Sequence, residues 1–164
     1  MTTGLDEFRT KHGPAAPPTY IPPDPTEMIQ LTAIDGLRQL APAPATDVQY
    51  GQPPQGLGAS PGRYLWVIDD AGVPYLLEAP PHPTIDNAVP KHTNLTGAGD
   101  AYIGGELWFG DSRSIFVSGA SRRYPAKDEA HLADATCVFE ALSYAVVSLG
   151  WDRDGDRPER FLRG

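Results

Sequence analysis

The stretch AYIGGELWF at residues 101–109, followed by GDSR and by SIFVS at 114–118, decides the fold class of this chain. Both runs are rich in aromatic and β-branched residues, and a short polar loop separates them, which predicts a β-hairpin. Upstream, YLWVI at 64–68 and VPYLLE at 73–78 flank the turn-forming residues DDAG and predict a second hairpin. Together the two hairpins predict a small antiparallel sheet.

A long helix is predicted from about Lys127 to Leu149. Apolar residues recur there at steps of three and four, and Gly150 stands where a helix C-cap belongs; the residues concerned are Leu132, Ala135, Phe139, Leu142, Val146 and Leu149. The second half, ALSYAVVSLGW, carries no charge, so we expect it to be covered on both faces, by the sheet on one side and by a helix that begins at Pro25 or a partner protein on the other. The predicted fold class is therefore α+β, with the two-hairpin sheet packed on one long C-terminal helix.

Residues 1–62 read as a proline-rich arm in front of an α+β domain over 63–164. Of the 18 prolines, eleven lie before residue 63, and such segments favour extended backbone, either as a linker or as a strap over a surface. One short helix near 25–40 interrupts the arm, because Asp24, Pro25 and Glu27 form a capping signal ahead of spaced apolar residues. We expect this helix to dock on the body.

Composition excludes several classes of function. The net charge of -8 argues against nucleic-acid binding, which depends on Lys and Arg contacts with phosphates. No window is apolar enough to span a membrane. Cys137 is the only cysteine and no signal-peptide pattern is seen, so the expected location is the cytoplasm. Apart from His92, the histidines are His12, His82 and His131, and they show no metal-ligand spacing. We predict no metal and no cofactor.

The segment 91–109, KHTNLTGAGDAYIGGELWF, carries most of the chemical information. Its part NLTGAGDAYIGG resembles the signature of ribokinase-like sugar kinases, with Asp100 in the place of the catalytic base. In that family the glycines begin a helix, and the fold has about twice this length. The sequence after Gly105 predicts strands instead, so we interpret this match as coincidental.

A second resemblance extends over residues 91–150. HTNL, GGELWF and SIFVSGASRRYP, followed by a helix, resemble a block in bacterial toxin- or effector-associated domains and, more distantly, in plant proteins with IQ motifs. The resemblance implies a recurring histidine, a strand glutamate and a small-Gly-x-Tyr-Pro turn, which correspond here to His92, Glu106 and Tyr124. The chain departs from that turn at Ala120, Ser121, Arg122 and Arg123.

The same residues can form a polar cluster. A glutamate in the middle of a strand, at Glu106, needs a partner if it points inward, and His92, Tyr124, Arg122 or Arg123 could supply one. A buried glutamate beside a histidine is typical of acid-base chemistry. We therefore name His92, Glu106 and Tyr124 as candidate catalytic residues and Arg122 and Arg123 as a candidate anion site. Alternatively, strand alternation turns Glu106 outward together with Trp108.

Two functions are compatible with these features. The first is a small cytoplasmic binding protein of the accessory, inhibitor or immunity type in a bacterial conflict system, whose acidic surface attracts a basic protein partner. The second is a toxin-like transferase or hydrolase that acts on a nucleotide or protein substrate through the His92, Glu106 and Tyr124 cluster.

Overall fold

The computed structural model describes residues 3–19, 24–56, 60–79 and 82–162. Three α-helices and eight strands are seen in these residues: α1 Gly4–His12, α2 Thr93–Thr96, α3 Glu129–Ala141, β1 Arg38–Gln39, β2 Tyr64–Ile68, β3 Pro74–Leu77, β4 Ile103–Phe109, β5 Ser114–Ser118, β6 Ala145–Ser148, β7 Trp151–Asp152 and β8 Arg157–Pro158. None of the helices in the described residues is both long and apolar enough to cross a membrane.

The central feature is a mixed sheet of six strands in the order β1-β3-β2-β4-β5-β6. Both predicted hairpins are confirmed, because β2 pairs with β3 and β4 pairs with β5, each antiparallel. The predicted fold class is nevertheless wrong, since the sheet is larger than two hairpins. It gains β1 at one edge and β6 at the other, and β6 runs parallel to β5.

The predicted helix from Lys127 to Leu149 is also wrong in its extent. α3 has 13 residues; Asp128 caps its start by accepting from the His131 N–H at 2.8 Å. After Ala141 the chain turns through Ser143, which has a φ of +70°, and continues as β6. Because parallel strands need a crossover connection, α3 is the crossover that brings β6 alongside β5. The uncharged second half of the predicted helix thus contains strand β6 and is not a helix covered on both faces.

The helix predicted near 25–40 is replaced by two 3-10 turns, Pro25–Met28 and Ala33–Asp35, followed by β1. The capping signal at Asp24 is real, because its carboxylate accepts from the Thr26 N–H at 2.9 Å. The turn does not propagate, since the Leu31 N–H donates to the Asn94 carbonyl at 2.9 Å and Leu31 is fully buried. This tertiary contact outweighs the local helical pattern.

The two faces of the sheet are covered differently. α1 and α3 pack on one face, over a large core that includes Trp66, Ile103 and Phe139. On the other face, irregular segments and α2 cover a smaller cluster around Leu65 and Val67. Alternation along β4 places Gly105 and Leu107 toward α3, and it places Gly104, Glu106 and Trp108 toward the second face. The candidate site therefore lies on the sheet face opposite α3.

Candidate functional site

A cleft of about 420 Å³ opens on this second face. Strand ends, the start of α2, the 120–123 turn and residues 160–161 contribute to its walls. Its lining residues are Glu27, Pro54, Arg63, Glu78, Lys91, His92, Glu106, Ala120, Ser121, Arg122, Arg123, Arg160 and Phe161. Four of the five residues named from the sequence, His92, Glu106, Arg122 and Arg123, are thus brought together in one concavity.

Glu106 belongs to an ionic group at the floor of the cleft. Its Oε2 lies 3.4 Å from Arg63 Nε, and Arg63 Nη1 lies 3.5 Å from Glu78 Oε1. The Arg63 guanidinium also lies over the Trp108 ring, 5.7 Å from its centroid. Strand alternation places Glu106 on the same face of the sheet as Trp108, as the alternative interpretation expected. Other segments cover that face, so the Glu106 side chain is only 15% exposed.

Burial raises the pKa of Glu106 above its usual value. Arg63 opposes this effect by stabilising the carboxylate, whereas the negative charge of Glu78 adds to the rise. Ser118, opposite Glu106 on β5, donates a side-chain hydrogen bond that favours the charged form. Glu106 is therefore a carboxyl group whose proton affinity depends on which charges enter the cleft.

His92 stands immediately before α2 and is buried, with 8% of its surface exposed. Its Nε2 lies 2.7 Å from the Gly105 carbonyl oxygen. A carbonyl only accepts, so Nε2 carries the proton, and Nδ1 keeps a lone pair. Burial, with a smaller contribution from the charge of Lys91, lowers the pKa of His92 to about 4 against the opposing effect of the hydrogen bond to Gly105. The ring is neutral at pH 7 and can act as a proton acceptor through Nδ1.

Gly104 keeps a narrow space open between His92 and Ser121. A Cβ at residue 104 would lie 3.1 Å from His92 Cδ2 and 3.1 Å from Ser121 Oγ. Ser121 Oγ accepts from the Tyr124 N–H at 3.1 Å, which fixes the turn that carries Arg122 and Arg123. The lack of a side chain at Gly104 therefore allows the histidine and the hydroxyl to approach the same point of the cleft.

Tyr124 lies outside the cleft lining and is 3% exposed. Its hydroxyl donates to the Gly99 carbonyl at 2.6 Å and also bonds Thr96 Oγ1 at 2.7 Å. The Tyr124 carbonyl accepts from the Gly104 N–H at 2.8 Å. These contacts connect the 120–124 turn to the loop after α2. Tyr124 therefore helps to position the turn that carries Arg122 and Arg123 without lining the cleft itself.

The cleft is locally basic although the chain is acidic. Its lining includes five basic side chains, Arg63, Lys91, Arg122, Arg123 and Arg160, and three acidic ones, Glu27, Glu78 and Glu106. Arg123 Nη2 lies 3.2 Å from Glu27 Oε1. If all eight of these side chains are ionised, the lining has a net charge of +2, whereas the whole chain has a net charge of -8. Such a concavity concentrates a field that attracts anions.

Three basic residues of the cleft and two of its acids were missed as site residues by the sequence interpretation: Arg63, Lys91, Arg160, Glu27 and Glu78. Arg63 and Glu78 follow the alternation of β2 and β3 and could have been assigned to the same face as Leu65 and Leu76. Their meeting with Glu106 depends on the pairing of β2 with β4, which is not a hairpin and leaves no local signal. Arg160 reaches the cleft through a tertiary contact alone.

The residues that the structure describes contain no group of three or more His, Cys, Asp and Glu side chains arranged to hold a metal ion. In the glycine-rich segment, Gly97 ends α2 in the left-handed conformation, with a φ of +63°, and the chain becomes strand at Ile103. The glycines thus close a short helix and do not begin one. No protein-family model, no curated protein and no solved structure matches this chain.

Proposed function

We propose that the cleft binds a small ligand carrying a phosphate group, and that His92 and Glu106 transfer protons to and from it in a hydrolase or transferase reaction. The observation that carries this proposal is the convergence of five basic side chains on a neutral buried histidine and a glutamate of raised pKa. The predicted substrate class was a nucleotide or protein, and the cleft volume favours the small molecule.

The basic side chains support the binding step. Arginine presents a planar fork that matches the oxygens of a phosphate, and such contacts are strong when partly desolvated. Arg63 is three-quarters buried at the side chain and Arg123 more so. Their positions are fixed by Glu78 and Glu27, so a ligand meets donors that are already oriented.

The two titratable groups support the proton-transfer step. A neutral His92 with its proton fixed on Nε2 offers a base at Nδ1. Because an entering phosphate brings negative charge, it should raise the pKa of His92 from about 4 toward neutrality and raise that of Glu106 as well. Ligand binding thus brings both groups closer to the range in which acid-base catalysis is efficient.

The interpretation as an inhibitor or immunity protein for a basic partner has less support. Part of its support was an apolar helix half expected to be covered by that partner. Those residues form β6 instead of a helix, so the acidity of the chain is what supports this interpretation. Our proposal is based on the cleft.

The binding step is tested by calorimetric titration with ribose 5-phosphate. We expect binding that weakens about tenfold in Lys91→Ala, which removes a cation of the cleft lining, and that is unchanged in Arg153→Ala. Arg153 is the matched control because its side chain is 81% exposed and pairs with Glu129 outside the cleft. No binding of ribose 5-phosphate at millimolar concentration, or equal losses in the two variants, would overturn the proposal.

The proton-transfer step is tested with Glu106→Gln, which keeps the shape of the side chain and removes its charge. With p-nitrophenyl phosphate as the probe, the release of nitrophenolate should fall by about a hundredfold or more, while ribose 5-phosphate binds at least as tightly as to the wild type. Because nitrophenolate leaves without being protonated, a variant that retains the wild-type rate would exclude Glu106 as the general base.

A further inference from the structure

A second cleft, of about 680 Å³, adjoins the first. The two share five lining residues: Ala120, Ser121, Arg122, Arg160 and Phe161. They are therefore two halves of one groove, divided by the 120–122 turn and by the segment that carries Arg160 and Phe161. The shared residues place the second cleft directly beside the first.

The dividing segment is held in place along its length. β8 pairs with β7, with Trp151 opposite Pro158, and the Glu159 N–H donates to the Gly150 carbonyl at 3.0 Å. Beyond Phe161, the Leu162 N–H donates to the Pro54 carbonyl at 2.8 Å. These contacts on both sides fix Phe161 at the boundary between the clefts, so it is a wall of a built groove.

The second cleft differs in chemistry from the first. It contains two aromatic side chains, Trp151 and Phe161, and both are partly exposed. Trp151 Nε1 donates to Asp156 Oδ1 at 3.3 Å, which fixes the orientation of the indole. The lining holds four basic and three acidic side chains, namely Arg122, Lys127, Arg157 and Arg160 with Asp152, Asp156 and Glu159. Its lining has an excess of one positive charge, against two in the first cleft, and like the first cleft it contains three carboxylates.

We propose that the second cleft is the subsite for the base of a nucleotide whose phosphate binds in the first cleft. This inference rests on the proposed function of the first cleft and names its substrate class. A planar base can stack on Trp151 or Phe161, and stacking of a base on an aromatic side chain is energetically significant and tolerant of the identity of the base. The carboxylates accept from hydroxyl and amino groups, which a nucleoside presents and a bare phosphate does not.

The test compares adenosine 5′-monophosphate with ribose 5-phosphate, which has a hydroxyl in place of the base, in calorimetric titrations of the full chain. We expect the nucleotide to bind at least tenfold tighter. Trp151→Leu should abolish most of that difference and leave the affinity for ribose 5-phosphate unchanged, whereas Trp151→Phe should restore it. The first-cleft variant Lys91→Ala should weaken both ligands by the same factor.

Fluorescence provides a second readout. Trp66 and Trp108 are fully buried, so quenching by the nucleotide reports contact at Trp151 and should disappear in Trp151→Phe. Equal affinities for the two ligands, or a difference that Trp151→Leu leaves intact, would overturn the base subsite while the phosphate site stands. If neither ligand binds, the result contradicts the phosphate site of the proposed function, and the base subsite that rests on it is then contradicted as well.

Discussion

At the scale of single residues, Gly105 shows how closely β4 is packed. A Cβ there would collide with the Ser118 carbonyl oxygen and lie 2.6 Å from the Trp66 indole. The Gly105 carbonyl also accepts the hydrogen bond that orients His92. The core thus requires glycine here, because the indole lies against it, and a shift of the backbone at this residue would move the carbonyl that orients His92.

We expect Gly105→Ala to lower the free energy of unfolding by about 3 kcal/mol, because both neighbours are rigid and must move. Urea denaturation measures the loss. Gly56→Ala is the matched control, since nothing lies within 4 Å of its added Cβ, and it should change stability by less than about 0.5 kcal/mol. Similar effects of the two substitutions would contradict the described packing of β4.

His131 makes the stability of the protein depend on pH. It is 1% exposed and stacks on Phe8 of α1, and its Nδ1 accepts from the Lys127 N–H at 2.9 Å. Burial, together with the charges of His12 and Lys127, lowers its pKa to about 4 against the opposite effect of Asp128 and Asp134. The unfolded chain binds a proton near pH 6.5 while the folded chain excludes it, so stability falls as the pH decreases from about 6.5 toward 4.

Between pH 8 and pH 5 this histidine should remove about 2 kcal/mol from the free energy of unfolding. His131→Asn retains a side-chain acceptor but cannot be protonated. The free energy of unfolding of this variant should therefore fall by about 2 kcal/mol less than that of the wild type between the two pH values. Urea denaturation at the two pH values measures the difference. Parallel declines in variant and wild type would show that His131 does not titrate as the structure implies.

At the scale of elements, the end of α3 decides the topology. Ser143 takes a φ of +70°, a conformation that favours glycine, and Tyr144 is already buried under the sheet edge. The reversal there sends the chain back along β5 as β6. A helix that continued would leave the outer edge of β5 unpaired.

Ser143→Gly should raise the free energy of unfolding by about 0.5 to 1 kcal/mol, because glycine adopts the left-handed conformation without steric cost. Ser143→Ala is the control, since it removes the hydroxyl and keeps the Cβ, and it should give no gain. Thermal unfolding of both variants measures the effect. Destabilisation by glycine would show that the chain does not reverse at this residue in the way described.

At the scale of the whole molecule, the described parts of the proline-rich region are integrated with the sheet. Phe8 of α1 is 3% exposed in the main core, and Ala16 bridges to Ala101. Leu31 is fully buried on the opposite face, whereas Ile34, three residues later, is 97% exposed. This region therefore contributes to both layers that cover the sheet.

Leu31→Ala should cost about 2 to 5 kcal/mol of unfolding free energy through the lost burial and the cavity it leaves. Ile34→Ala, the matched control from the same region, should cost less than about 0.5 kcal/mol. Chemical denaturation of the two variants decides the matter. If Leu31→Ala were as mild as its control, the region would behave as a detached linker.

The sequence by itself determined the two hairpins and the start of α3, and it indicated four residues that line one cleft, His92, Glu106, Arg122 and Arg123. These features depend on local alternation, capping residues and short loops, which a linear pattern records. The catalytic roles assigned to His92, Glu106 and Tyr124 stay predictions.

Only the tertiary structure decided the extra strands and the composition of the groove. Apolar residues at 145–149 fit a helix and a strand equally well, and the open edge of β5 selects the strand because its backbone groups need partners. Likewise, Arg63 and Arg160 are almost a hundred residues apart, and they line one cleft because β2 pairs with β4 and because Pro54 anchors the segment near Phe161. Contacts between distant segments leave no periodicity in the sequence, so only the folded chain shows them.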